Sequence, residues 1–208
     1  MIIVVEGISA AGKTTYASQF GGQHCLPEIP VKQARPESGA PLEVHAEFWA
    51  EHNARRFEMA VEIERQNGFV VCDTDPLKLH YAWCMERAGF EWPDKFDVAR
   101  KCVRQKIAER RLGFADLYLI KLIEPDIARA QKEGDKTRSR SNFEQHLHLQ
   151  PHLVSWFEAL SGALPHRVHW SFQAPDQLLS QAKTKTPEEN PRRFDVSVFD
   201  ELLDRLPS

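Results

Sequence analysis

The 208-residue chain carries 27 Lys and Arg against 30 Asp and Glu, a formal net charge of -3, and 42% of its residues are hydrophobic. That balance excludes the strongly basic surface of a nucleic-acid or anionic-membrane binder, and no apolar run is long enough to span a bilayer. The length suits one domain with a sizeable core, while four cysteines without a C-x-x-C pair and the lack of a basic-then-apolar leader point to reduced thiols in a cytoplasmic protein.

Ile2-Ile3-Val4-Val5-Glu6 is short, apolar and β-branched, and predicts a strand buried on both faces, as in a parallel sheet. A Gly, Ser and Ala loop follows over 7–12, then a helix from Lys13 to Phe20. Residues 23–27 predict a weaker second strand, and 31–41, rich in Pro, Gly and polar residues, a loop. Leu42 to Asn67 suits a long helix ended by Gly68. Phe69 to Cys72 predicts another buried strand, closed by Asp73-Thr74-Asp75-Pro76, with a helix to Arg87 that has Pro76 at its first position.

After Trp92-Pro93 the pattern gives a helix over 94–112, a strand over 115–123 and a helix opened by Pro125 that runs to about Glu133. Residues 134–142 are polar and carry Lys136, Arg138 and Arg140. Phe143 to Leu160 predicts a helix kinked at Pro151, Arg167 to Phe172 a last strand, and Pro175 to Ala182 one more helix. Residues 1–182 thus form the domain, and 183–208 a polar linker plus an amphipathic segment from Val196 to Leu206. That segment packs on the domain or on a second copy in a homodimer. Strands alternating with helices indicate an α/β protein with a mainly parallel sheet.

Gly7-Ile8-Ser9-Ala10-Ala11-Gly12-Lys13-Thr14 fits G-x-x-x-x-G-K-[ST] at every fixed position, between an apolar strand and a helix. Each position has a physical task. Gly7 and Gly12 allow backbone angles and a close approach that a Cβ would forbid. The amides of Ser9, Ala10, Ala11 and their neighbours then turn inward as an anion nest, reinforced by the positive end of the helix. Lys13 reaches the β- and γ-phosphates and the Thr14 hydroxyl ligates Mg2+. Thr15 serves as a structural or phosphate contact and not as a metal ligand.

Three further segments follow in order: Leu26-Pro27-Glu28-Ile29-Pro30, Asp73-Thr74-Asp75, and Lys136-Thr137-Arg138-Ser139-Arg140. With the loop, this layout over roughly residues 1–172 resembles the nucleoside and nucleotide monophosphate kinases of the P-loop class, closest to the deoxynucleoside kinase and thymidylate kinase groups. The resemblance implies a three-layer P-loop NTPase fold, with a five-stranded parallel sheet flanked by helices and an Arg-containing lid over about 134–142. It implies ATP and Mg2+ as cofactors. It places Glu28 where such kinases hold a carboxylate near the acceptor hydroxyl, and Arg138 and Arg140 in the lid. Such kinases often follow the acid at Asp73 with Arg, whereas this chain has Thr74. An acceptor that is already a phosphate would want bidentate Arg there, so Thr74 favours a neutral hydroxyl.

Phosphoryl transfer asks mainly for positioning and charge neutralisation, from Lys13, Mg2+, Arg138 and Arg140. A hydroxyl acceptor also needs a base or an orienting carboxylate, for which Asp73 and Glu28 stand at the carboxyl ends of strands. Asp73 would serve equally as a metal carboxylate. Asp75, just before Pro76, suits a helix N-cap. Trp49 and Asn53, with Arg56, lie on the long helix, and Tyr81 and Trp83 on the helix after the acidic turn. In the kinases that this chain resembles, these regions face the acceptor, where a planar ring would stack; helix packing is their other use. Trp156 and Trp170 are expected in the core. His146, His148 and His152 are expected on a solvated or packed helix face, since no acidic or cysteine ligand shares their register. In similar kinases the stretch from Gln173 to Asp176 borders the adenine ring.

The composite expectation is an ATP-dependent kinase acting on a hydroxyl of a nucleoside or other small molecule such as an antibiotic. Two alternatives stand beside it, a nucleoside monophosphate kinase and a regulatory NTPase that has no small-molecule acceptor.

Overall fold

The computed structural model describes residues 1–28, 34–90, 94–134, 142–182 and 190–207. Five strands, β1 (Ile2–Glu6), β2 (Cys25–Leu26), β3 (Val70–Asp73), β4 (Leu117–Ile120) and β5 (Val168–His169), form one sheet in the order β2-β3-β1-β4-β5. Every pairing is parallel. The helices are α1 (Lys13–Ser18), α2 (Leu42–Asn67), α3 (Leu79–Arg87), α4 (Lys95–Ala108), α5 (Pro125–Gly134), α6 (Phe143–Leu147), α7 (Gln150–Ala163), α8 (Pro175–Ala182) and α9 (Val196–Asp204).

Strand alternation sorts the apolar residues into two cores. Ile2, Val4, Val70, Cys72, Tyr118 and Ile120 face a larger core supplied by α2, α3, α4, α7 and α9. Met1, Ile3, Val5, Val71, Leu117 and Leu119 face a smaller one closed by Tyr16 and Ala17 of α1 and Leu178 of α8. Helices therefore cover both faces, which explains the unbroken apolar runs of the central strands. Among the described residues no helix is long and apolar enough to cross a membrane.

Helix α2 runs over the expected residues, ended by Gly68 at φ 84° with its amide donating to Glu64 O at 2.7 Å. Three expectations need correction. Helix α3 begins at Leu79 and not at Pro76, because Thr74 (φ 73°) and Lys78 (φ 52°) both adopt left-handed backbone. Asp75 caps a turn there, with Oδ1 accepting from Leu77 N at 3.0 Å. The helix expected over 143–160 is two helices. The amides of His148 and Leu149 bond three residues back, ending α6, and Pro151 sits in the first turn of α7, where a missing N–H costs little. Trp156 is fully buried, but Trp170 is 41% exposed beyond the short β5.

The chain after 190 is bound into the fold. Arg193 is buried against Glu64 Oε2 at 2.6 Å and Asp116 Oδ2 at 2.9 Å, and Glu64 also holds the Met1 amino group at 2.7 Å. Val198, Phe199 and Leu202 put the apolar face of α9 into the larger core, against α4 and α7. Residues 183–189 of the expected linker lie outside the described residues.

Candidate active site

The chain crosses from β3 to β4 by way of the two sides of β1, so the loop after β1 sits where open α/β sheets bind ligands. Gly7 leaves the strand at φ 152°, and a Cβ built on it would lie 2.6 Å from Lys121 O. Ala10 (φ 70°) and Gly12 (φ 83°) are left-handed, and Ala11 N donates to Ile8 O at 3.2 Å, so residues 7–12 curl tightly before α1. Among the described residues no acceptor takes the amides of Ser9, Ala10, Gly12, Lys13 or Thr14. Those of Lys13 and Thr14 are donors that a helix start leaves open, and those of Ser9, Ala10 and Gly12 belong to the loop that leads into it. All residues from Gly7 to Thr15 line one cavity of about 610 Å3.

Lys13 Nζ donates to Gly7 O at 2.6 Å and to Ile8 O at 3.1 Å, which holds the ammonium over the loop. Its enclosure lowers the amine's pKa, against the opposing pull of the Glu6 and Asp73 carboxylates. Thr14 Oγ1 donates to Asp73 Oδ2 at 2.6 Å, joining the first turn of α1 to the end of β3. Beneath them lies Glu6, with Oε2 accepting from Gly7 N at 3.0 Å and Oε1 from Asp75 N at 2.9 Å. His80 Nε2 is 3.2 Å from Glu6 Oε1.

No protein-family model matches the chain, and no curated protein is similar to it. What the site can do is therefore read from its own groups.

The same cavity is also lined by Glu28, Lys78, Tyr81 and His146, by Gln131 and Gly134 at the end of α5, and by Leu149 and Leu153. Lys78 Nζ pairs with Glu28 Oε1. Burial would raise the Glu28 pKa, but the Lys78 ammonium, with Arg56 and Lys13, holds it below the usual carboxylate value. Tyr81 Oη lies 3.1 Å from His146 Nε2, and the phenol donates when the ring is neutral with its proton on Nδ1. Burial, then Lys13 and Lys78, push the His146 pKa down, opposed by Glu28. Cys84 also lines the cavity, but burial pushes its thiol far up and leaves it a poor nucleophile.

Of the expected acceptor residues, the cavity gathers Glu28 and Tyr81, with Asp73. Trp49, Asn53, Arg56 and Trp83 are not on its wall among the described residues. Trp49 is 38% exposed on α2, under the Arg35 guanidinium. Trp83 is buried against Trp156 and His152. Arg56 lies beneath the acidic turn, where Nη2 donates to Asp73 O and Thr74 O and Nη1 to Thr74 Oγ1. Its guanidinium is engaged by the turn that carries Asp73.

Lys136, Arg138 and Arg140 of the expected lid lie outside the described residues, as do Ile29, Pro30 and Trp92. The stretch expected beside the adenine ring does approach α1. Tyr16 Oη donates to Gln173 O at 2.7 Å, and its ring stacks on Phe172 at 4.5 Å.

Glu6, Lys78, His80 and His146 were not foreseen as site residues. Lys78 and His80 follow the acidic turn directly, so their place near a strand's carboxyl end was readable. The cue was hidden by the expectation of a helix starting at Pro76. His146 gave no such cue, because only the tertiary fold sets it against Tyr81 of α3. Among the described residues no three His, Cys, Asp or Glu side chains converge as a metal centre. Thr14 Oγ1 and Asp73 Oδ2 are a pair of hard oxygens, and Mg2+ needs only one or two protein ligands beside phosphate oxygens and waters. The donors present fit that ion.

Proposed function

We propose that the protein is an ATP-dependent small-molecule kinase, transferring the γ-phosphate of Mg-ATP to a hydroxyl of a nucleoside or another small compound such as an antibiotic. One observation carries this reading: residues 7–15 curl along one wall of a cavity with open amides, the Lys13 ammonium above them and the Thr14 hydroxyl against Asp73. On this reading the parallel sheet is that of a three-layer P-loop NTPase. The amides of Ser9 to Thr14 and the Lys13 ammonium would receive the phosphates, and Thr14 and Asp73 would hold Mg2+. When bound, Mg-ATP supplies the phosphoryl group and the cation that neutralises it.

The acceptor would be held in the same cavity, by the lining residues outside the loop. Glu28, kept ionised by Lys78, is the carboxylate available there to orient a hydroxyl and take its proton; Asp73, bonded to Thr14, would take that task only in place of holding Mg2+. Tyr81 and His146 add a polar pair for the rest of the acceptor. Arg138 and Arg140 would complete the charge as a lid closing over ATP. Lys78 favours a second reading, an acceptor that already bears a phosphate, although its ammonium is engaged by Glu28. Free thiols, two of them buried, and a nearly balanced charge support a cytoplasmic protein without nucleic-acid or membrane partners. The apolar face of α9 is spent on its own domain, so a homodimer would have to use another surface.

The test is transfer of labelled γ-phosphate to a panel of nucleosides, nucleoside monophosphates and antibiotics, with equilibrium binding of ATP measured in parallel. We expect a hydroxyl compound to be labelled. Lys13→Ala should cut turnover by at least about 10²-fold with the circular dichroism spectrum unchanged. Labelling of monophosphates only would select the second reading, and hydrolysis indifferent to every acceptor would make the protein a regulatory NTPase. Failure of the wild type to bind ATP would sink all three.

A further inference from the structure

Glu6 breaks the apolar run of β1 with a carboxylate that is 2% exposed. Burying such a group is costly unless both oxygens are satisfied. Here the partners come from two different segments. Gly7 N belongs to the loop, and Asp75 N belongs to the turn that carries Asp73. His80 provides the third bond, and the rings of Trp156 and Phe157, at 6.3 and 5.8 Å, enclose its imidazole. Burial alone would raise the Glu6 pKa, but His80, then Lys13 and Lys78, hold it well below the usual carboxylate range. It therefore stays an acceptor at both oxygens.

We infer that Glu6 is a positioning residue: by holding the Gly7 and Asp75 amides on one carboxylate, it sets the spacing between loop and acidic turn at which Thr14 meets Asp73. His80 keeps that carboxylate turned toward the two amides. Glu6 acts through Gly7 and Asp75, and its effect is felt where the metal would be held. The inference rests on the Mg-ATP reading above.

The experiment uses the full chain and the non-hydrolysable imido analogue of ATP, with calorimetric affinities measured with and without Mg2+, and melting temperature as a second readout. Glu6→Gln replaces one acceptor oxygen by an NH2 that must face an amide N–H. Its Mg2+-dependent gain in affinity should fall by about tenfold, the scale of a lost outer contact at a metal site, while metal-free affinity stays within about twofold. A second pair of variants decides the matter if Glu6→Gln does not fold. His80→Leu frees the carboxylate and should lose the same gain; His80→Gln places an amide donor near the old Nε2 position and should keep it. A full Mg2+ gain in Glu6→Gln or His80→Leu, with only a lower melting temperature, would overturn the inference. So would equal losses in His80→Leu and His80→Gln. Wild-type protein that binds no analogue in either condition defeats the kinase reading itself, and the inference with it, before any substitution is made.

Discussion

Asp73 and His146 show how far single residues can be pressed. Asp73 accepts from Thr14 and stands on the cavity wall, so on the kinase reading it would serve as base or as metal carboxylate. Asp73→Asn keeps the shape and removes the charge, and should lower turnover by about 10²-fold or more. A change in melting temperature alone would assign it a structural task. For His146 the sign of a pH effect follows from its surroundings. Burial is the main cause, Lys13 and Lys78 add to it, Glu28 opposes them and Tyr81 bonds the ring from α3, with a folded pKa below the ordinary 6.5 as the outcome. As pH falls, the unfolded chain takes up this proton first. The stability lent by the neutral ring is therefore complete above 6.5 and is lost as pH drops through the lower folded value. Melting curves of wild type and His146→Gln at pH 8 and pH 5 should show the wild type losing ground at acid pH. A gap independent of pH would mean that neither burial nor the neighbouring charges shift the ring's titration.

At the scale of elements, the turn from β1 to α1 depends on a missing side chain. A methyl on Gly7 would meet Lys121 O at 2.6 Å and Ala11 Cβ at 3.0 Å, both parts of the packed frame. Gly7→Ala should therefore destabilise the fold by about 1–3 kcal/mol and weaken nucleotide binding as the loop shifts. Unfolding in urea and an ATP titration check both parts. Helix α2 illustrates the opposite case, since its length and its end at Gly68 follow from neighbours in sequence. Helix α3 does not. Local rules put Pro76 at its first position, while the left-handed Thr74 and Lys78 delay the helix to Leu79. That delay brings Lys78 to the cavity rim and His80 under Glu6.

Across the whole molecule, the base of the sheet is closed by charge. Arg193 joins the chain beyond the last strand to Glu64 of α2 and Asp116 before β4, and Phe114 N donates to Arg193 O at 2.8 Å. Removing one member of a buried ion group leaves the others unpaired. Arg193→Ala should cost about 3–5 kcal/mol in urea unfolding, far more than loss of the exposed Arg104–Asp200 pair would. A cost under about 1 kcal/mol would show that the closing segment adds little to the fold.

Local chemistry was enough for the parallel α/β class, the buried strands, the long helix and the place of the glycine loop, because strand alternation, helix period and turn residues act between neighbours. Of the residues that line the cavity, it singled out the loop from Gly7 to Thr15 and the carboxylates Glu28 and Asp73, as strand ends reveal them. Only the tertiary structure decided that β3 lies beside β1, which brings Thr14 to Asp73 across 59 positions and Glu6 to Asp75 across 69. Helix packing likewise set His146 beside Tyr81 and left Trp83 and Arg56 off the cavity wall. Such contacts depend on strand order and on which helix faces meet, and no short stretch of residues encodes either.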